Sequence, residues 1–297
     1  MENRLRLKDR KAFSLSGLAR CRWNILDFIE LIGRSSIPTY LFCDIDMTWA
    51  EKLRAELRKH GHRTTVTAIL LKAIAIAQLD HPATRTFRLP FGLTGTLNEI
   101  VAGFTVEREV DGQPAVFLGL IRDPHTKSLE QIARELKDYG DAELTTVPQL
   151  EVEHRFSNMP WLIRRLIWLV GMHWVPLRLR YLGATFGVSS LGKFGMKAII
   201  PPCVTTSTFG VGAVEDRAVV RGGEVVVRPM TTLTLNFDHR LIDGAPAARF
   251  LSDVRSLLEG GLSRFLGDEL AAAVPIEVGR ESVPGIFDGA GNAVLVG

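Results

Sequence analysis

The chain of 297 residues has only three cysteines, Cys21, Cys43 and Cys203, and no two of them have C-x-x-C spacing. An odd number of widely spaced cysteines argues against a disulfide framework and against a structural zinc site. We therefore predict no metal site and a reducing, cytoplasmic location. The amino-terminal residues MENRLRLKDRKAF carry charges but no following apolar stretch or small-residue cleavage site, so we expect no secretory signal.

An excess of charge of one sign and a Pro/Ser-rich linker are also missing. The 36 Lys and Arg residues are interleaved with 33 Asp and Glu residues, and the formal net charge is +3, which argues against a nucleic-acid partner. With 46% apolar residues, the chain can bury a large core. We predict one domain over residues 14–260, an amino-terminal arm over 1–13 and a carboxy-terminal tail over 261–297 with no assigned function.

A hydrophobic run long enough to cross a bilayer is missing even from the most apolar segment, residues 160–182. Its longest stretch without a charged residue is 12 residues, from Leu166 to Leu177, and Pro176 interrupts it. The flanking arginines are Arg164, Arg165, Arg178 and Arg180. We expect an atypical insertion over about 153–182 whose helix covers a sheet or a neighbouring subunit. Contact with a membrane surface is the less favoured alternative, although Trp168 and Trp174 suit it.

The stretch TTLTLNFDHRLIDG, residues 231–244, combines a strand pattern with polar residues at its end. Residues 231–236 alternate β-branched and apolar side chains, which predicts a strand, and an Asp-Gly turn follows at 243–244. Residues 245–259 then carry apolar side chains at helical spacing. His239 is therefore predicted at the exit of a strand, between two packed elements. A histidine fixed in this way can act as a general base.

The run FDHRLIDGAPAARFL resembles the active-site signature of the dihydrolipoyl acyltransferase cores of 2-oxoacid dehydrogenase complexes, which share the chloramphenicol acetyltransferase fold. Two further segments resemble the same family: ATFGVSSLGKFG followed by IIPPC at 184–203, and residues 121–136. The resemblance covers roughly residues 14–260 in order. It implies an α/β fold of two layers, with a mixed sheet and helices on one face.

The resemblance also implies roles for particular residues in the transfer of an acyl group between a thioester and a thiol. His239 would take the proton of the attacking thiol, whose ordinary pKa lies near 8.5. Ser189 would stabilise the oxyanion, a role we prefer to that of a hydrolase nucleophile, because G-x-S-x-G is missing. Asp243 would form a buried ion pair with an amino-terminal arginine. The supporting residues are Arg20 or Arg22 as that arginine, Asp238, Arg240 and Gly244.

Coenzyme A, as acyl-CoA, is the substrate that the resemblance implies, and the positions that bind it are not identified. The chain begins almost directly at the catalytic core, so we expect no covalently bound lipoyl group on it and a possible lipoyl-domain protein in trans. A homotrimer or a larger trimer-based assembly is implied too, and a mean hydropathy of +0.12 with five tryptophans agrees with covered apolar surface. The alternatives are acetyl-CoA-dependent O- or N-acyl transfer to a small molecule, a non-catalytic assembly core, and a membrane-peripheral protein.

Overall fold

The computed structural model of the chain describes residues 22–267, except 32, 34–35, 111, 144–145 and 175–182. The predicted arm over 1–13, most of the predicted tail, and the residues Arg20, Arg178 and Arg180 lie outside this part of the chain. The cysteines within it, Cys43 and Cys203, are both free thiols.

The described residues form helices and strands that alternate along the chain. The helices are α1 (Trp23–Leu31), α2 (Thr48–Lys59), α3 (Val66–Asp80), α4 (Leu129–Asp141), α5 (Pro148–Ser157), α6 (Trp161–His173) and α7 (Gly244–Leu258). The strands are β1 (Pro38–Asp46), β2 (Thr86–Arg88), β3 (Thr94–Thr96), β4 (Val101–Val110), β5 (Gln113–Arg122), β6 (Phe186–Ser190), β7 (Ser207–Val211), β8 (Glu215–Arg221) and β9 (Glu224–Asp238).

Local side-chain hydrogen bonds fix the starts of α2 and α4. The Ser-x-x-Gln pattern of residues 128–131 predicts a capping box at the start of α4, and this is confirmed, since the Ser128 and Gln131 side chains bond to each other's backbone. The sequence also predicts a capping box that begins at Thr48, and this is wrong. Thr48 is the first helical residue of α2, and the carboxylate of Asp46 accepts hydrogen bonds from its backbone N–H and hydroxyl, at 3.0 and 2.5 Å.

The main sheet has seven strands in the order β1-β9-β7-β6-β4-β5, with β8 paired to the first half of β9. Strand β6 is parallel to both of its neighbours, β4 and β7, and the other pairs are antiparallel. The predicted α/β fold with a mixed sheet is thereby confirmed. Strand β9 is the longest strand, and it pairs with β1, β7 and β8. It therefore holds its carboxy-terminal end, where Asp238 and His239 follow, in a fixed position.

The hydrophobic core lies on the face of the sheet that α2, α3, α4 and α7 cover. Helix α3 is buried over 11 residues, from Ala68 to Gln78, because it packs between the sheet and its helical neighbours. The core extends past residue 260, where the sequence predicts the end of the domain, since Leu262 and Leu266 are buried in it. Burial of this size supplies most of the free energy that favours folding.

The opposite face of the sheet is partly covered by α1 and by residues 196–204. Here the backbone approaches closely: a Cβ atom on Gly210 would lie 2.0 Å from the carbonyl oxygen of Ile199. Only glycine leaves room for this contact. Helix α5 lies along β5, the edge strand, and the carboxylate of Glu153 accepts a hydrogen bond from the backbone N–H of Leu118 at 3.1 Å. This bond satisfies a donor that an edge strand would otherwise expose.

Helix α6 lies within the Trp- and Arg-rich insertion and packs on α1 through an ion pair and an aromatic contact. The buried guanidinium of Arg164 lies 2.5 Å from the carboxylate of Asp27, and Trp168 is buried against Phe28. Leu162, by contrast, is 71% exposed. The predicted sheet-covering role is therefore not what the structure shows, because α6 rests on α1. Among the described helices, none is long and apolar enough to cross a membrane.

Candidate active site

His239 lies immediately after β9, at the edge of the sheet where β1 begins. Its backbone N–H donates to the carbonyl of Ile37 at 2.9 Å, and the N–H of Asp238 donates to the carbonyl of Thr206 at 3.2 Å. The imidazole lies 5.7 Å from the ring of Phe237, which is fully buried. The backbone is thus fixed by both hydrogen bonds, while 43% of the His239 side chain stays exposed. This arrangement suits a general base.

Asp238 and Arg240 fix the loop on either side of His239. The two side chains form a bidentate ion pair, with the shortest N–O distance at 2.5 Å, and Asp238 also accepts from the backbone N–H groups of Ile37 and Arg240. Burial alone would raise the pKa of Asp238, but these hydrogen bonds lower it below its ordinary value. The carboxylate therefore stays charged at neutral pH. It ties the start of β1 to the loop that carries the imidazole.

Asp243 is the residue that precedes α7, and its carboxylate lies 3.9 Å from Nδ1 of His239. That distance exceeds a hydrogen bond, and 87% of the side chain is exposed. Within the part of the chain that the structure describes, no ion pair joins Asp243 to Arg22, and Arg20 lies outside it. Gly244 opens the helix with free space around it. A carboxylate at a helix start is favoured by the helix dipole.

Ser189 lies on β6, on the face of the sheet opposite the helical core. Its Oγ accepts a hydrogen bond from the hydroxyl of Thr105 on the neighbouring strand β4, at 3.4 Å. The hydroxyl hydrogen of Ser189 is therefore available to a further acceptor, as an oxyanion-stabilising group requires. Thr105 is not among the site residues predicted from the sequence. The period-2 alternation of β4, in which Phe104 faces the core, is the signal that places Thr105 on the same face as Ser189.

A cavity of about 420 Å³ opens beside Ser189. Its walls come from α1, β4, β5, β6 and residues 201–205, and its lining is mainly apolar. Gly103 and Gly187 pair with each other across β4 and β6 and both line it, so no side chain from this pair fills the space. Because its walls come from segments that are distant along the chain, the cavity was not predictable from the sequence.

His239 and Ser189 are far apart within one chain. Along the paired strands, Ser189 lies level with Gly210 of β7 and Thr234 of β9, five residues before His239 and two strands away. At about 3.3 Å per residue and about 4.8 Å per strand, the separation is roughly 20 Å. One substrate carbonyl cannot contact both side chains of the same chain.

In the described residues, no group of three or more His, Cys, Asp or Glu side chains is placed to hold a metal ion.

Sequence comparison finds similarity between the segment that carries this site and a known family. Residues 180–266, which include Ser189 and His239, match the model of the catalytic domain of the 2-oxoacid dehydrogenases acyltransferase family. The chain is 28% identical over 235 residues to the dihydrolipoyllysine-residue acetyltransferase component of the pyruvate dehydrogenase complex of Zymomonas mobilis. It is 42% identical over 79 residues to the corresponding component of the acetoin cleaving system of Bacillus subtilis. These matches cover 76% and 26% of this chain but only 46% and 20% of the two relatives.

Structural comparison gives the same result for the fold. The cubic core of the pyruvate dehydrogenase multienzyme complex superposes with a TM-score of 0.68 at 22% identity, and the match covers 88% of this chain and 96% of that one. The dihydrolipoamide acetyltransferase of Azotobacter vinelandii has the same score, identity and coverage. The predicted resemblance is therefore confirmed: by sequence and by fold, this chain is related to the catalytic domains of the 2-oxoacid dehydrogenase acyltransferases.

Proposed function

We propose that the protein transfers an acyl group between a thioester and a thiol, with coenzyme A as one of the two thiols. The observation that carries the proposal is the placement of His239. Its backbone is fixed at the end of the longest strand, its imidazole is exposed, and it lies in the segment that matches an acyltransferase catalytic domain. A base that accepts a thiol proton needs this combination of rigidity and access.

The proposed reaction begins when the neutral imidazole of His239 accepts the proton of the incoming thiol. The thiolate attacks the thioester carbonyl, whose electron pair moves onto oxygen, and the hydroxyl of Ser189 donates a hydrogen bond to that oxyanion. When the carbonyl re-forms, the bond to the leaving sulfur breaks, and the imidazolium returns its proton to the leaving thiolate. The acyl group is never bonded to the protein.

Residue spacing in a related enzyme supports these assignments. Crystallographic and enzymatic work on the Azotobacter vinelandii acetyltransferase concerns the roles of a serine, a histidine and an asparagine in its catalytic mechanism. In that enzyme the serine precedes the histidine by 52 residues and the asparagine follows it by four. Here Ser189 precedes His239 by 50 residues and Asp243 follows it by four. An aspartate therefore stands where that enzyme has an asparagine.

We also propose that the active site is completed between subunits of a trimer. The separation of roughly 20 Å within one chain keeps Ser189 from assisting its own His239. A neighbouring chain must then supply the second group. The related core of the pyruvate dehydrogenase complex is a cubic assembly, which agrees with a symmetric oligomer. The exposed apolar face of α6 supplies surface that such contacts cover.

The acyl carrier and the place of action belong to the proposal as well. The related proteins are named as dihydrolipoyllysine acyltransferases, so a lipoyl domain, on this or another chain, is the acyl carrier that we propose. Transfer to an alcohol or an amine, and a purely structural role, are the outcomes that the experiment below separates from it. The cytoplasmic location remains a prediction from the cysteine pattern.

The test is release of coenzyme A from acyl-CoA in the presence of dihydrolipoamide, measured by chromatographic separation of the two because the transfer leaves the total number of free thiols unchanged. We expect His239→Ala to lower kcat by roughly 1,000-fold or more. His60→Ala is the matched control, because His60 has the same side-chain exposure of 43% but lies at the end of α2. Ser189→Ala should lower kcat by about 100-fold or more with little change in KM, while Ser190→Ala on the adjacent position should not. Undiminished turnover by folded His239→Ala would refute the mechanism.

A further inference from the structure

The cavity beside Ser189 is larger than a two-carbon acyl group requires. An apolar cavity of about 150 Å³ is enough to bind benzene, which has six carbon atoms. The cavity here has a volume of about 420 Å³, so it has room for more than twice that number. An acetyl group would leave most of this volume without contacts to the protein, and such a void stabilises nothing.

The walls of the cavity favour an apolar occupant. Leu118 and Leu120 of β5 project into it from one side and Ile25 of α1 from another. The hydroxyls of Thr205 and Thr208 also line it, but they are bonded to each other at 2.9 Å. A wall whose polar groups already have partners gains little from a polar ligand and excludes water in favour of hydrocarbon.

Charge at the wall disfavours an acyl group that ends in a carboxylate. The buried Glu153 lines the cavity, where its carboxylate accepts the hydrogen bond from the backbone of Leu118. An acyl group that ends in a carboxylate finds no cationic partner in Glu153, and burying such a charge without a partner is costly. Arg22 also lines the cavity, but its side chain is exposed, so it lies towards solvent.

The position of Ser189 on this wall connects the cavity to the chemistry. A thioester whose carbonyl oxygen accepts from the Ser189 hydroxyl can place its acyl chain in the adjoining cavity, because Ser189 itself lines it. From these observations, and resting on the proposed acyl transfer, we infer that the cavity binds a linear apolar acyl chain of about six to twelve carbons. The substrate is then a medium-chain acyl thioester.

Binding of non-reactive thioethers tests the inference without turnover. S-octyl-coenzyme A and S-ethyl-coenzyme A are titrated calorimetrically into the full chain. Each buried methylene contributes up to about fourfold in affinity, so we expect S-octyl-coenzyme A to bind at least about 100-fold more tightly than S-ethyl-coenzyme A. Leu118→Trp, which fills the cavity, should reduce this ratio of the two affinities to below about tenfold. Leu79→Trp, the same change at an exposed position of α3, should leave the ratio unchanged.

A second pair of variants keeps the test valid if Leu118→Trp does not fold. Val116→Phe narrows the cavity at a strand position that is 40% exposed, and Val220→Phe makes the same change at an exposed position of β8 outside the cavity. Equal binding of both thioethers, or a chain-length preference that survives both cavity-filling variants, would overturn the inference even in an enzyme that transfers acetyl groups. The opposite outcome is also informative. If Leu118→Trp abolishes the preference for S-octyl-coenzyme A but the wild-type protein has no transferase activity, the acyl-binding cavity is supported and the proposed function is refuted.

Discussion

Mixed trimers of two inactive variants provide the sharpest test of a site shared between chains. A chain with His239→Ala keeps Ser189, and a chain with Ser189→Ala keeps His239. Because these side chains lie roughly 20 Å apart in one chain, neither variant can use its own remaining group. In a ring that contains both chains, however, one kind of junction brings the intact His239 of one chain next to the intact Ser189 of the other. Activity should therefore return when the two variants assemble together.

The expected recovery follows from counting junctions in a cyclic trimer. With equal amounts of both chains and random assembly, about one junction in four pairs intact His239 with intact Ser189, so activity should reach about 25% of the wild-type value. The separate variants should stay near or below about 1%.

A chain that carries both substitutions provides a second test of the shared site. Mixed equally with wild type, it should leave about 25% of the activity if the site is shared and about 50% if each chain has a complete site.

The assay requires co-expression of the two chains with different affinity tags, so that trimers form from a mixed pool; all trimers are purified together without selection for either tag, and a pull-down through each tag verifies that the two chains have mixed. Release of coenzyme A is then measured by chromatography at matched protein concentration, with sedimentation to confirm the oligomeric state. No recovery in verified mixed trimers, an active monomer, or 50% activity with the doubly substituted chain would each refute the shared site.

Three further predictions follow from single contacts. Thr105→Val should lower kcat three- to tenfold at constant KM, because Ser189 loses its hydrogen bond, and Thr105→Ser should restore the rate. Asp238→Asn should cost about 2 kcal/mol in urea unfolding at pH 7. Since the pKa of Asp238 is lowered in the folded state, this contribution is complete above the unfolded pKa near 3.9 and is lost as the pH falls, so the variant should differ less from wild type in acid. Asp27→Asn should cost about 3 kcal/mol, because the buried Arg164 loses its charged partner, whereas replacing both by apolar residues should be nearly neutral.

The sequence by itself determined the strand that carries His239 and the turn and helix that follow it. The alternation over 231–236 and the helical spacing after Gly244 are local patterns, and local patterns are sufficient to predict a strand, a turn and a helix that position His239. The same holds for the Ser128 capping box. At Thr48 the local rule failed, because Asp46 two residues earlier offered a competing acceptor for the same backbone group.

Only the tertiary structure decided which of the predicted residues lie together. The order of strands β6, β7 and β9 separates Ser189 from His239, and strand order depends on long-range packing that spacing along the chain does not encode. The position of α6 on α1 depends in the same way on the buried pair of Arg164 and Asp27, 137 residues apart. The cavity has the same origin. Its walls come from segments that are distant in sequence, including α1, α5, strands β4 to β7 and residues 201–205, so its volume exists only after these segments have packed together.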